Sequence, residues 1–265
     1  MNSDRANIAT TDILLDGSTI PSGLVTNTGR VLARRTSFVE AGVRGWIIKM
    51  YECTVTGSNA FSWKKTLIRN SQFTNCPDAI ASQERVVVID STIMGGVGDG
   101  IDAGVSVRVV GSTVSGFEDD GIEDFGGNAK VQNSEISNNG NRGIFSPFLY
   151  ASVRVQNSII AGNGAEGIYA PTYRGRVTVT SGSQITGNGL DGISSGPCIT
   201  GDCPKFVLKD STATGNGTDS DCGVTLACAD LSAGRVPTVS NSTCDHTYDT
   251  NSGFPGTNWN VCTLD

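Results

Sequence analysis

The chain has 265 residues, 34 of them glycine and 8 proline, and a formal net charge of −7. That acidic balance argues against unassisted binding to DNA, RNA or an anionic membrane surface, all of which select basic patches. Glycine without a Gly-X-Y period excludes collagen, and apolar runs such as Val86-Val87-Val88-Ile89 fall far short of the ~20 residues that span a bilayer.

The chain opens with Met1-Asn2-Ser3-Asp4-Arg5, without the charged-then-apolar profile of a leader. Residues 13–20 read as a first coil of a repeat, with no amphipathic capping helix before them. Weak copies follow at residues 31–45, 46–63, 67–82 and 86–102. The signal then sharpens. Gly-Ile recurs at Gly100-Ile101, Gly121-Ile122, Gly143-Ile144, Gly167-Ile168 and Gly192-Ile193, in steps of 21, 22, 24 and 25 residues. A last copy covers residues 206–217.

Each copy holds three short apolar segments of period two, separated by Gly, Asn and Ser turns, which means strands rather than helices. Three strands in ~22 residues cannot bury an apolar face alone and must stack on neighbouring copies. The expected fold is therefore all-β: a single-stranded parallel β-helix of about ten coils, rising about 4.8 Å per coil, right-handed as crossovers are. Residues 1–229 form this helix. Residues 230–265 lose the repeat, carry Pro237, Pro255 and Trp259, and read as a C-terminal cap packed on the last coil of the same domain.

The inward ladders can be named. One is Val109, Val131, Val155 and Val179; a second is Val114, Ile136, Ile160 and Ile185; the third is the Ile of each Gly-Ile pair. Asn139, Asn163, Asn188 and Asn216 share a turn position, where asparagine tolerates left-handed backbone and stacked amides bond along the ladder.

Chemistry must then sit on outward residues. The position before each glycine reads Asn59, Asp78, Asp99, Asp120, Arg142, Glu166, Asp191, and the position after each Ile reads Ser62, Ala81, Asp102, Glu123, Phe145, Tyr169, Ser194. Asp99, Asp102, Asp119, Asp120, Glu123 and Asp124 are expected to converge on two adjacent coils, with Arg142 one coil on. Stacked carboxylates repel and raise each other's pKa, a cost that a catalytic pair or a bound cation explains; the alternative is an acidic solvated face on which the charge costs little. As a glycosidase site, Asp99, Asp119, Asp120 and Glu123 would supply acid and base, and Arg142 charge stabilisation or proton transfer; a carboxyl separation of roughly 6.5–9.5 Å gives inversion. As a Ca²⁺ site, Asp102, Glu123 and Asp124 would supply oxygen ligands. Asp102, Phe145, Glu166, Tyr169, Tyr173 and Arg174 are the expected substrate contacts, the aromatic faces suiting sugar rings.

Repeats such as Asn163-Gly-Ala-Glu-Gly-Ile168 resemble the right-handed parallel β-helix repeats of carbohydrate-active proteins, over about residues 30–217. More narrowly, Asp99-Gly-Ile-Asp102 followed by Asp119-Asp120-Gly-Ile122 is similar to the polygalacturonase pattern, in which Asn-Thr-Asp-Gly and Asp-Asp place three catalytic aspartates on successive coils. The resemblance implies catalytic roles for Asp99, Asp119 and Asp120. The sequence departs from that pattern at Val97-Gly98, which replaces Asn-Thr, and at Asn141-Arg142-Gly143, which replaces Gly-His-Gly. Where the family's Arg-Ile-Lys strand is expected, Ile168-Tyr169-Ala170 stands instead.

Cys198, Cys203, Cys222, Cys228, Cys244 and Cys262 crowd the polar C-terminal third, which points to covalent closure in an oxidising compartment, secreted or periplasmic. The expected pairs are 198–203, 222–228 and 244–262, with a four-cysteine zinc site at the first two pairs as the alternative; Cys53 and Cys76 read as free core thiols. His246, the sole histidine, lies among cap residues and has no evident catalytic partner. The reading is a monomeric enzyme that cleaves a polysaccharide or oligosaccharide, as a glycoside hydrolase or a Ca²⁺-assisted lyase. The alternative is a non-catalytic carbohydrate-binding or surface-structural module. An ice-binding face would show regular threonine ranks, and here threonine is scattered.

Overall fold

The computed structural model describes residues 12–171, 175–195, 204–217, 229–249 and 261–262. Among them every regular element is a strand, and the strands wind as a parallel solenoid. One coil runs Ile80–Ser82, Arg85–Ile89, Thr92–Gly96; the next repeats it as Ile101–Ala103, Ser106–Val110, Thr113–Phe117. Equivalent strands pair in parallel from coil to coil. The first strand of each coil builds what we call the Gly-Ile face, the second the valine face and the third the threonine face. The threonine face stacks eleven strands among the described residues. The other two faces merge into one sheet because Ala41–Tyr51 and Ala60–Arg69 run through both, with a bulge between Gly45 and Ile47.

The apolar ladders stack as the periodicity predicts. Val109 pairs with Val131, Val131 with Val155 and Val155 with Val179; Val114 follows through Ile136 and Ile160 to Ile185. Ile101, Ile122, Ile144, Ile168 and Ile193 are fully buried in one column. The glycine before each isoleucine is required by close approach, not by its φ. A Cβ on Gly121 would lie 2.6 Å from Asn139 Nδ2 and 2.7 Å from Ile136 Cγ2.

Polar ladders line the corners. Asn139 Nδ2 donates to Asn163 Oδ1 at 2.9 Å, Asn163 to Asn188 at 2.9 Å and Asn188 to Asn216 at 2.8 Å. Asp230 ends the row by accepting from Asn216 Nδ2 at 2.7 Å and from the Asp245 amide at 2.8 Å. Buried amides thus satisfy one another down the axis. The left-handed conformation expected of these asparagines belongs to the residue before each: Asn138 (φ 54), Gly162 (φ 64) and Gly187 (φ 63). A second column, of serines, has no counterpart in the sequence reading. Ser91 Oγ accepts from the Ser71 amide at 3.1 Å and donates to its own coil at Ile89 O at 2.7 Å, and Ser112, Ser134 and Ser158 repeat this. Cys53 takes a place in this column, its amide donating to Ser71 Oγ at 3.0 Å. Cys53 and Cys76 are both buried and free.

At the two ends the pairing runs further than the clear repeats. Asp12–Asp16 pairs with Arg30–Arg34. Leu231–Ala233, Thr238–Ser240, Thr243–Cys244 and Thr247–Asp249, in the stretch read as a cap, each add a strand to the stacks. The expected Cys244–Cys262 disulfide is present. Cys198, Cys203, Cys222 and Cys228 lie outside the described residues.

Candidate active site

The corners leading into the strands that begin at Ile80, Ile101 and Ile122 each carry an aspartate that first serves the backbone. Asp78 Oδ1 accepts from the Asp99 amide at 3.2 Å, Asp99 Oδ1 from the Asp120 amide at 2.9 Å and Asp120 Oδ1 from the Arg142 amide at 2.8 Å. One oxygen of each carboxylate is therefore structural; the other reaches the surface at Asp78 and partly at Asp99, while Asp120 is buried with its Oδ2 towards Arg142. Asp119 stands beside Asp120 on the same corner and accepts from Asn141 Nδ2 at 3.0 Å. Asp99, Asp119 and Asp120 each bring a carboxylate oxygen within 4.8 Å of the others.

The Gly-Ile strands add the outward row. Ala81, Asp102, Glu123, Phe145, Tyr169 and Ser194 are in register on successive coils. Glu123 hydrogen-bonds Asp99, which joins the row to the corner aspartates. Arg142 closes the cluster on its far side. Its Nη1 is 3.7 Å from Asp120 Oδ2, its Nε donates to Glu166 Oε2 at 3.2 Å, and its guanidinium lies 4.3 Å from the Phe145 ring centre and 4.9 Å from that of Tyr169. The two rings stack at 5.7 Å with planes 9° apart.

Burial is the first cause of every titration shift here. It pushes Glu123 up to about 8, helped by the charge and hydrogen bond of Asp99 and by Asp102 and Asp120. Asp120 rises to about 6, burial outweighing the Arg142 amide and guanidinium that pull it down. Asp102 also rises to about 6, from burial and then the charges of Asp99 and Asp78. Asp99 is raised as well, by burial, with its backbone hydrogen bond opposing. Burial thus holds Glu123, at about 8, above Asp102 and Asp120, at about 6. Carboxyl groups whose environments push them apart in this way divide into acid and base.

Residues 48–181 match the family model described as the right handed beta helix region. The chain belongs to the right-handed β-helix family. Two solved structures share the winding. The pectate lyase Pel9A superposes with a TM-score of 0.59 at 18% identity, covering 95% of this chain and 74% of that one. The periplasmic alginate epimerase AlgG gives a TM-score of 0.52 at 11% identity, covering 88% of this chain and 72% of that one. The sequence matches no curated protein.

Within this β-helix, Asp99, Asp102, Asp119, Asp120, Glu123, Arg142, Phe145, Glu166 and Tyr169 share the Gly-Ile side. Asp124 does not join them. It pairs with the inward Ala103, is fully buried, and finds no hydrogen bond of good geometry for either carboxylate oxygen. The expected calcium ligand set Asp102, Glu123 and Asp124 is therefore not assembled; alternation that turns Glu123 outward turns its neighbour inward. Tyr173 and Arg174 lie outside the described residues. The outward rows also need a correction at their start. Phe61, not Ser62, is in register with Ala81, and Ser62 faces inward, accepting from Thr66 Oγ1 at 2.8 Å. Phe61 meets Trp63 edge-on at 4.9 Å, and Trp63 and Trp46 are both exposed, so aromatic rings flank the carboxylates on both axial sides. The alternation Phe61-Ser62-Trp63 carried that signal.

Proposed function

We propose that the Gly-Ile face is the catalytic groove of a polysaccharide-cleaving glycoside hydrolase that works outside the cytoplasm. The observation that carries this reading is geometric: Asp99, Asp119 and Asp120 gather their carboxylate oxygens within 4.8 Å, with Glu123 and Asp102 in the adjoining outward row and Arg142 and the stacked Phe145 and Tyr169 rings beside them. Glu123 donates its proton to the glycosidic oxygen, and Asp120, ionised and 3.7 Å from Arg142, acts on the anomeric carbon directly or through water. Phe145 and Tyr169 offer ring faces to the sugar beside the cleaved bond. The fold supports the substrate class, since its structural neighbours are named for pectate and alginate.

A second reading is a Ca²⁺-assisted lyase. It is favoured by the 4.8 Å gathering of Asp99, Asp119 and Asp120 oxygens, hard donors that suit Ca²⁺. An assay on polygalacturonate, alginate and neutral glucans, with Ca²⁺ or chelator, separates the two. Hydrolysis yields reducing ends without unsaturated products and survives chelation. Elimination yields unsaturated ends and needs the cation. Silence on every polymer, with binding retained, would leave a non-catalytic carbohydrate-binding module.

A further inference from the structure

The three faces differ in charge as sharply as in geometry. The threonine-face strands contain no Lys or Arg and a single acid, Glu135. On the valine face the strands from Arg30–Arg34 to Lys205–Lys209 contain no Asp or Glu. That face instead presents at least one cation on each of seven consecutive coils. Lys65 is paired with Arg85, and Arg108 lies on the next coil, two residues along the strand. Arg108 then stacks on Lys130 and Lys130 on Arg154. The row steps back to Arg176, which pairs with Lys205.

Six rises of about 4.8 Å make this a cationic strip about 29 Å long. From Arg85 to Lys205 every cation in it is exposed. Among the described residues none of the seven makes an ion pair. Like charges directly opposed across strands destabilise a sheet, and the threonine face, which exposes Gln72, Ile159 and Gln184 without a cation, shows that exposure alone does not call for them. A shallow recess of about 350 Å³ opens along the strip, lined by Lys130, Arg154, Gln156, Arg176, Thr178 and Thr180.

We infer that the valine face is a docking strip for a linear acidic polysaccharide bearing one carboxylate per sugar, lying along the solenoid axis. The charge spacing selects this occupant. Duplex DNA carries a phosphate per about 1.7 Å of axis, whereas the strip offers a cation per coil, one for each rise of about 4.8 Å along the axis. An extended polyuronate matches a rigid, sparsely charged track whose three central cations, Arg108, Lys130 and Arg154, are in register. Its hydroxyls can meet Thr178, Thr180 and Gln156 between the cations. The site lies on a different face from the carboxylate cluster and does not require that cluster to be catalytic.

The test is binding of labelled polygalacturonate to the whole protein and to the Arg108→Ser/Lys130→Ser/Arg154→Ser variant over a salt series. The expected result is affinity that falls with salt and is about tenfold or more weaker in the variant, as three lost exposed ionic contacts would give. Thermal stability should be unchanged or raised, and cleavage of short neutral oligosaccharides, if found, should be unchanged. Undiminished binding in the triple variant would overturn the inference, whether or not Asp120→Asn abolishes it. Equal binding of a neutral dextran, or tighter binding of duplex DNA at the same salt, would overturn it too.

Discussion

Asp120 does two jobs with two oxygens. Oδ1 holds the next coil by its amide, and Oδ2 faces Arg142. Asparagine keeps the first function and loses the second. Asp120→Asn is therefore expected to melt at or slightly above the native temperature, while turnover drops about a hundredfold or more, the usual worth of a positioned acid or base. Asp120→Ala loses the amide acceptor as well, and should cost about 1–3 kcal/mol in denaturant unfolding. A D120N variant with native turnover would remove Asp120 from the chemistry. If the second reading holds, Ca²⁺ should raise the melting temperature of the native chain and not that of Asp119→Asn. These roles were legible in part. The spacing of Asp99, Asp119 and Asp120 put them together, but their service to the backbone was invisible, because sequence shows which face a carboxylate takes and not what its oxygens touch. Asp124 was misplaced for the opposite reason: charge was weighted above the strict alternation that buries it.

At the scale of strands and corners, the isoleucine and valine ladders were readable because one residue type recurs at one position. The serine column was not, since serine is common in turns of every kind and its inward rotamer leaves no trace in composition. The slip of one residue at Phe61 has a cause as well. Asn59-Ala60 stands where later coils have Gly-Ile, so Ser58 and not Asn59 holds the position before the glycine, and the long strand Ala60–Arg69 removes the turn that would have reset the register. The glycine corner makes the sharpest prediction here. Gly121→Ala must push Asn139 or Ile136 aside, and should destabilise by about 1–3 kcal/mol, as overpacking does. Unfolding midpoints indistinguishable from the native chain would show that the coils are not as close as described.

For the whole molecule, a net charge of −7 conceals segregation: acids and aromatics on the Gly-Ile face, cations on the valine face, almost no charge on the threonine face. Composition sums over faces, so it could not show this. The acidic side also sets the response to pH. Asp102 and Asp120 titrate at about 6, Asp124 and Asp191 at about 7 and Glu123 at about 8, each raised first by burial. Between the ordinary carboxylate range and about 8, the folded chain therefore binds more protons than the unfolded one. Stability is then fullest near pH 4–5 and declines as pH rises to about 8. Thermal melts across that interval should show the decline, and Glu123→Gln should flatten its upper part.

The central claim is that Glu123 keeps a proton at neutral pH because it is half-buried against Asp99. A carboxyl-carbon NMR titration of Glu123 tests this without any substrate. The expected midpoint is about 8, moving down towards the ordinary glutamate range in Asp99→Asn. A native midpoint near the unperturbed 4.5, indifferent to Asp99, would contradict the account.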